Sequence, residues 1–122
     1  MAKVLVIDDS ELVRNFHSYI LRSEKFEVVT ANDGVEGLEK FFSDKFDLVI
    51  VDLNMPRLDG YEVVRQIRDS EDDEEVPIIV ISTEDSEDKK AKGFEAGANV
   101  YIVKPTEPEK LVANVRTLIG HK

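Results

Sequence analysis

At 122 residues the chain has room for one folded domain with one core, and little over for a second. Acids outnumber bases 26 to 16, a net charge of −10, which argues against contact with nucleic acid phosphates or anionic membrane surfaces and permits a cation or a basic protein surface as partner. Cysteine is absent, excluding disulfides and thiolate metal sites, and the N-terminal apolar run Val4 to Ile7 is too short for a signal-peptide core or a membrane span, so the chain is expected in the cytoplasm.

Short apolar runs alternate with amphipathic stretches along the whole chain. Val4 to Ile7 reads as a first strand and is followed at once by Asp8-Asp9. Ser10 is placed to cap a first helix, in which Leu12, Phe16, Tyr19 and Ile20 share one face. Phe26 to Ala31 is a weaker strand. Asn32-Asp33-Gly34 is a turn that opens a second helix, with Val35, Leu38 and Phe42 as its apolar face. Leu48 to Val51 is a third strand and ends in Asp52. Asp59-Gly60 precedes a third helix marked by Tyr61, Val64 and Ile67. The acidic run Asp69 to Glu75 reads as a solvated loop leading into a strand over Ile78 to Ile81, which ends in Ser82-Thr83. The next helix, around Asp88 to Ala96, is the weakest, with few apolar residues and an end near Gly97. A last strand over Val100 to Val103 ends in Lys104-Pro105, and Glu107-Pro108 starts a final helix carrying Leu111, Val115 and Leu118. Phe41, Phe42 and Phe94 read as core residues, and His17 and His121 as packing or surface residues.

Strands this short and rich in Val and Ile are buried on both faces, and their alternation with helices implies right-handed crossovers and a parallel sheet. The expected fold is therefore α/β: a five-stranded doubly wound parallel sheet of order 2-1-3-4-5 with five helices, the flavodoxin-like arrangement. In such sheets a ligand site lies at the carboxyl ends of the strands, by the switch point between the first and third.

The residues at those ends are Asp8-Asp9, Asp52, Ser82-Thr83 and Lys104-Pro105. Three carboxylates would converge there with a hydroxyl and an ammonium beside them. Like charges so close raise one another's pKa values unless a cation joins them, and carboxylate oxygens suit Mg²⁺, which commonly also takes a substrate phosphate oxygen. An Asp at a strand end is often only a cap, and a Lys-Pro only a loop. Their joint occurrence at four ends of one topology is what points to a site.

This combination, with Asn54-Met55-Pro56 and Asp59-Gly60 after Asp52, resembles the response-regulator receiver family, especially its free-standing, chemotaxis-like members, over essentially the whole chain. The resemblance implies a single receiver domain over residues 1–122 with no output domain. It implies that Asp52 accepts a phosphoryl group from a histidine kinase or a phosphotransfer protein and that the chain then switches its binding to a partner protein. Asp9, Asp52 and the backbone carbonyl of Asn54 would bind Mg²⁺ directly, with Mn²⁺ as a substitute ion and Asp8 acting through water. Lys104 would pair with the phosphoryl group, Ser82 with Thr83 would provide the switch hydroxyl, and Tyr101 matches an aromatic position that moves on activation. Asn54 and Glu84 match positions that influence loss of the phosphoryl group. The chain is expected to be a monomer, a signalling phosphoacceptor that catalyses its own phosphorylation and dephosphorylation, with its downstream partner on the face of helix four, strand five and helix five.

One departure stands out. Relatives that bind the flagellar motor switch begin helix four with a lysine pair, and the matching positions here are Ser86 and Glu87. Other readings fit less well. A haloacid-dehalogenase-like phosphatase needs an acid two residues after its nucleophile, where this chain has Asn54, and a flavodoxin-like carrier would place its flavin phosphate against Asp8-Asp9. A pseudo-receiver acting only as a binding module would lack site residues that are all present here.

Overall fold

The computed structural model describes residues 1–70 and 75–120. Five strands, β1 (Lys3–Ile7), β2 (Glu27–Ala31), β3 (Leu48–Asp52), β4 (Ile78–Ser82) and β5 (Val100–Val103), alternate with α1 (Glu11–Ser23), α2 (Gly34–Ser43), α3 (Gly60–Arg68), α4 (Glu87–Ala96) and α5 (Pro108–Ile119). The strands form one sheet of order β2-β1-β3-β4-β5, and every neighbouring pair is parallel. The topology is the one the strand and helix alternation predicts. Most of the acidic run before β4 lies outside the described residues, as does His121.

Side chains alternate across a strand, so each apolar run feeds two cores. Leu5, Ile7, Val49, Val51, Ile78 and Val80 face α2, α3 and α4, where they meet Leu38, Phe41, Val64 and Ile67. Val4, Val6, Leu48, Ile50, Ile79 and Ile81 face α1 and α5, where they meet Ile20, Leu21, Leu111 and Val115. Burial on both faces is why β1, β3 and β4 are continuous hydrophobic runs. The outer strand β2 is only partly covered, which accounts for its weaker signal. The start signals at Ser10, Asp33-Gly34, Asp59-Gly60 and Pro108 open helices as expected, the side chains of Ser10, Asp33 and Asp59 each accepting a backbone N–H at a helix N-terminus; Ser86, not expected as a cap, does the same for α4.

Two helix faces differ from the expectation. On α1 the buried residues are His17, Ser18, Ile20 and Leu21, while Leu12 and Tyr19 are 81% and 74% exposed and Phe16 is also exposed. Two polar residues take the inner face with internal hydrogen bonds: Ser18 Oγ donates to the Arg14 carbonyl at 2.7 Å, and His17 Nε2 lies 3.3 Å from Thr106 Oγ1. On α2 the inner face is Gly34, Gly37, Leu38 and Phe41, leaving Val35 and Phe42 exposed. A Cβ at Gly37 would lie 2.5 Å from Ile7 Cδ1, so the helix packs through a residue that carries no hydropathy signal. Phe94 is exposed as well, and only Phe41 of the three phenylalanines read as core is buried.

Candidate functional site

The parallel sheet sets four strand ends side by side. Register aligns Asp52 with Ile81 and Ser82 with Val103, so the last residues of β3 and β4 and the first residue past β5 reach one edge together. Asp8 follows β1 directly. Its amide donates to the Ala31 carbonyl at 3.2 Å, its Oδ1 accepts the Ser10 amide at 2.9 Å, and its carbonyl accepts the Arg14 guanidinium at 2.8 Å. Asp8 and Asp52 are buried, at 2% and 4% exposure, while Asp9 is open to solvent.

Carboxylate oxygens of Asp8, Asp9 and Asp52 all lie within 4.8 Å of one another. Lys104 Nζ stands 3.3 Å from Asp8 Oδ2 and 3.3 Å from Asp52 Oδ1. Burial pushes the Asp52 carboxyl up to about 6; the Lys104 ammonium and the Asn54 amide oppose the rise and the Asp8 charge adds to it. Two like charges at this spacing repel by about 3–4 kcal/mol at an effective dielectric of ~20. One ammonium against three carboxylates leaves that repulsion only partly offset. Proton uptake by Asp52 or a hard divalent cation would relieve it, and an all-oxygen cluster with one exposed member has donors that fit Mg²⁺.

The other residues singled out from the sequence arrange around this cluster. Ser82 is fully buried, and its Oγ accepts the Glu84 amide at 3.0 Å and lies 3.4 Å from Asn54 Nδ2. Tyr101 is half-buried and its hydroxyl donates to the Glu84 carbonyl at 2.8 Å. Thr83 is exposed, on the rim of an apolar groove of about 340 Å³ shared with Phe16, His17 and Lys104. The peptide bond between Lys104 and Pro105 is cis.

Sequence reasoning missed two contributors, Arg14 and Arg57, and read a third, Gly60, only as part of a helix start. Arg14 anchors the Asp8 backbone from α1. Arg57, in the β3–α3 loop with a φ of 67°, pairs with the α2 cap Asp33 at 2.6 Å, fixing the loop that carries Asn54. Gly60 is more than a helix start: a Cβ there would clash with the Asp52 carbonyl and the Leu53 backbone, so glycine lets α3 close against the chain leaving the site. Only the Asp59-Gly60 pair carried any signal, since Arg14 bonds a backbone carbonyl, which has no sequence signature, and Arg57 meets Asp33 across 24 residues.

Comparison with known proteins agrees with this geometry. Residues 4–116 match the family described as response regulator receiver domain. The chain is 42% identical over 117 residues to response regulator MprA of Mycobacterium ulcerans, an alignment covering 96% of this chain and 50% of that protein. It thus spans about half the length of the curated relatives it matches. Among solved structures it superposes on chemotaxis protein CheY4 of Vibrio cholerae with a TM-score of 0.92 and 40% identity, covering 97% and 98% of the two chains. It superposes on the receiver domain of sensor histidine kinase PA1611 of Pseudomonas aeruginosa with a TM-score of 0.91 and 27% identity, covering 98% of each, a structure described with a magnesium ion coordinated in its active site cleft.

Proposed function

Because this chain belongs to the response regulator receiver domain family, we propose that Asp52 accepts a phosphoryl group in a Mg²⁺-dependent reaction and that the acyl phosphate formed switches binding to a partner protein. Receiver domains act in two-component signalling as phosphoacceptors with autophosphatase activity, and they interact with histidine kinases or phosphotransfer proteins and with downstream effectors. The observation that carries the reading is a buried carboxylate at the end of a central strand, 3.3 Å from an ammonium and within 4.8 Å of two further carboxylates.

In this reading an Asp52 oxygen attacks phosphorus in line. The donor's P–N bond, in a phosphohistidine, or P–O bond, in a small acyl phosphate, breaks, and the donor leaves with the bonding pair. Asp9, Asp52 and the Asn54 carbonyl would hold Mg²⁺, with Asp8 acting through water; the ion would supply positive charge to the phosphoryl oxygens. Lys104 takes another phosphoryl oxygen, and burial of Asp52 limits water attack on the product. The Ser82 hydroxyl turns toward the phosphoryl group and loosens its hold on the Glu84 amide. Since the Glu84 carbonyl holds the Tyr101 hydroxyl, the change has a bonded route to β5 and α4. Asn54 and Glu84, at the mouth of the site, tune phosphoryl loss.

Incubation with acetyl phosphate tests this directly. Intact-mass and peptide analysis should show one label, on Asp52, acid-stable and base-labile, formed with Mg²⁺ and prevented by a chelator. Labelling elsewhere, or labelling indifferent to chelation, would overturn the reading.

The partner surface follows from α4, β5 and α5. A groove of about 290 Å³ there is lined by Phe94, Tyr101, Lys90 and Lys110. Its approach from the start of α4 is acidic, through Asp85, Glu87 and Asp88. Acidic residues suit the positive end of the helix dipole but reverse the charge that a lysine pair would offer. The partner is therefore one other than the standard motor-switch peptide, with basic residues facing α4 and charge complementarity expressed mainly in association rate and salt dependence. Titration of a motor-switch peptide against phosphorylated protein should show no tight binding; tight binding that depends on Asp52 would refute this assignment of partner.

A further inference from the structure

Helix α1 touches the site at two points. Arg14 bonds the Asp8 carbonyl at 2.8 Å. One turn later His17, only 2% exposed, places Nε2 3.3 Å from Thr106 Oγ1, a contact across 89 residues of sequence. Thr106 is itself buried and comes two residues after Lys104, just past the cis Lys104–Pro105 bond. On its other side the Lys104 amide is held by the Ser82 carbonyl at 2.8 Å. The segment Lys104 to Thr106 is thus tied at its start to β4 and at its end to α1.

Packing alone does not explain the choice of a histidine. Nδ1 has no hydrogen-bond partner among the described residues, and burial holds the imidazole pKa below its ordinary value, with the Asp8 charge opposing and the Lys104 charge adding. A buried polar atom without a partner is unfavourable, and a phenylalanine would fill a similar volume without one. What the histidine adds is the bond to Thr106.

We propose that His17 is a positioning residue which, through Thr106, fixes the Lys104–Pro105 turn so that the Lys104 ammonium stands between Asp8 and Asp52. The inference rests on the reading of Asp52 as phosphoacceptor and Lys104 as the group that meets the phosphoryl oxygens. Lysine has a long, flexible stem, so the position of its charge depends on how firmly its backbone is held. A preorganised charge stabilises a transferring group more than one that must be oriented during the reaction.

The test is single-turnover labelling by acetyl phosphate with excess Mg²⁺, alongside thermal melts. His17→Phe keeps a ring and removes the bond, Thr106→Val keeps the branched shape and removes the hydroxyl, and His17→Gln offers a polar atom near the place of Nε2. His17→Phe and Thr106→Val should each slow labelling about tenfold, the effect expected of a displaced reacting charge, and the double variant should lose no more than either. His17→Gln should recover most of the rate, whatever the change in melting temperature. In a Lys104→Met background none of these substitutions should slow labelling further. Wild-type rates in His17→Phe, or an undiminished loss in the Lys104→Met background, would overturn the inference. Should His17→Phe fail to fold, Thr106→Val decides by the same two criteria. A wild-type protein that is not labelled on Asp52 removes the underlying reading, whereas normal wild-type labelling with unaffected variants removes only the role of His17.

Discussion

Asp52→Asn is expected to abolish phosphoryl labelling and, without divalent cation, to make the protein more stable at neutral pH. Labelling is lost because the amide cannot serve as the nucleophile, and Asp8, the other carboxylate 3.3 Å from Lys104, is tied by its Oδ1 to the Ser10 amide. The gain in stability comes from the raised carboxyl pKa, 3.8 in the ordinary case and about 6 here, with burial as the main cause. A carboxyl whose folded pKa is raised favours the folded state while protonated. That contribution is complete below the unfolded value and disappears as pH rises through the folded one. Stability of the wild type should therefore fall relative to Asp52→Asn between about pH 4 and pH 6, then run parallel to it. The gap at neutral pH approaches about 3 kcal/mol, at about 1.4 kcal/mol for each tenfold difference in proton affinity between the folded and unfolded chain. Magnesium should close it: an ion that binds only the folded state at ~100 times its dissociation constant adds ~2.7 kcal/mol. The variant, lacking one carboxylate ligand, should gain less. Chemical denaturation at several pH values, with Mg²⁺ and with chelator, measures all of this. Equal stability of the two proteins in chelator at neutral pH would mean that Asp52 is not strained by its burial.

Lys104→Met should slow labelling by acetyl phosphate about 100-fold without abolishing it, the usual loss when one preorganised positive group is removed from a transferring oxyanion. Methionine keeps the length of the stem, so the change is mainly one of charge. The ammonium lies 3.3 Å from both Asp8 and Asp52 and lowers the Asp52 pKa. Its removal acts twice: the transferring phosphoryl group loses a partner, and Asp52 becomes harder to ionise. The pH profile of residual labelling should consequently move to higher pH than that of the wild type. Time courses by intact-mass analysis across this pH range give both quantities. A rate within about twofold of the wild type, or a larger loss with no displacement of the profile, would show that Lys104 does not act through these charges.

The residues at the strand ends were legible because the sheet repeats a simple rule. Strands buried on both faces must be unbroken hydrophobic runs, so the first polar residue after each run marks an edge. Asp8, Asp52, Ser82 and Lys104 are these residues. The helices were less legible because their inner faces include groups that hydropathy misplaces. Gly37 lies against Ile7 where a larger residue has no room, and Ser18 satisfies its hydroxyl on the helix backbone. Leu12 and Tyr19, apolar and correctly spaced, face outward.

The sequence by itself determined the order of elements, the parallel sheet and the chemical types gathered at its edge, because these depend on local periodicity and on strand ends that topology must align. Only the tertiary structure decided which face of α1 turns inward, how Arg57 and Asp33 fix the loop after β3, and that His17 meets Thr106. The reason is physical: each depends on a partner distant in sequence, chosen by packing space and by where a buried polar atom can find a bond, and neither leaves a period in the chain.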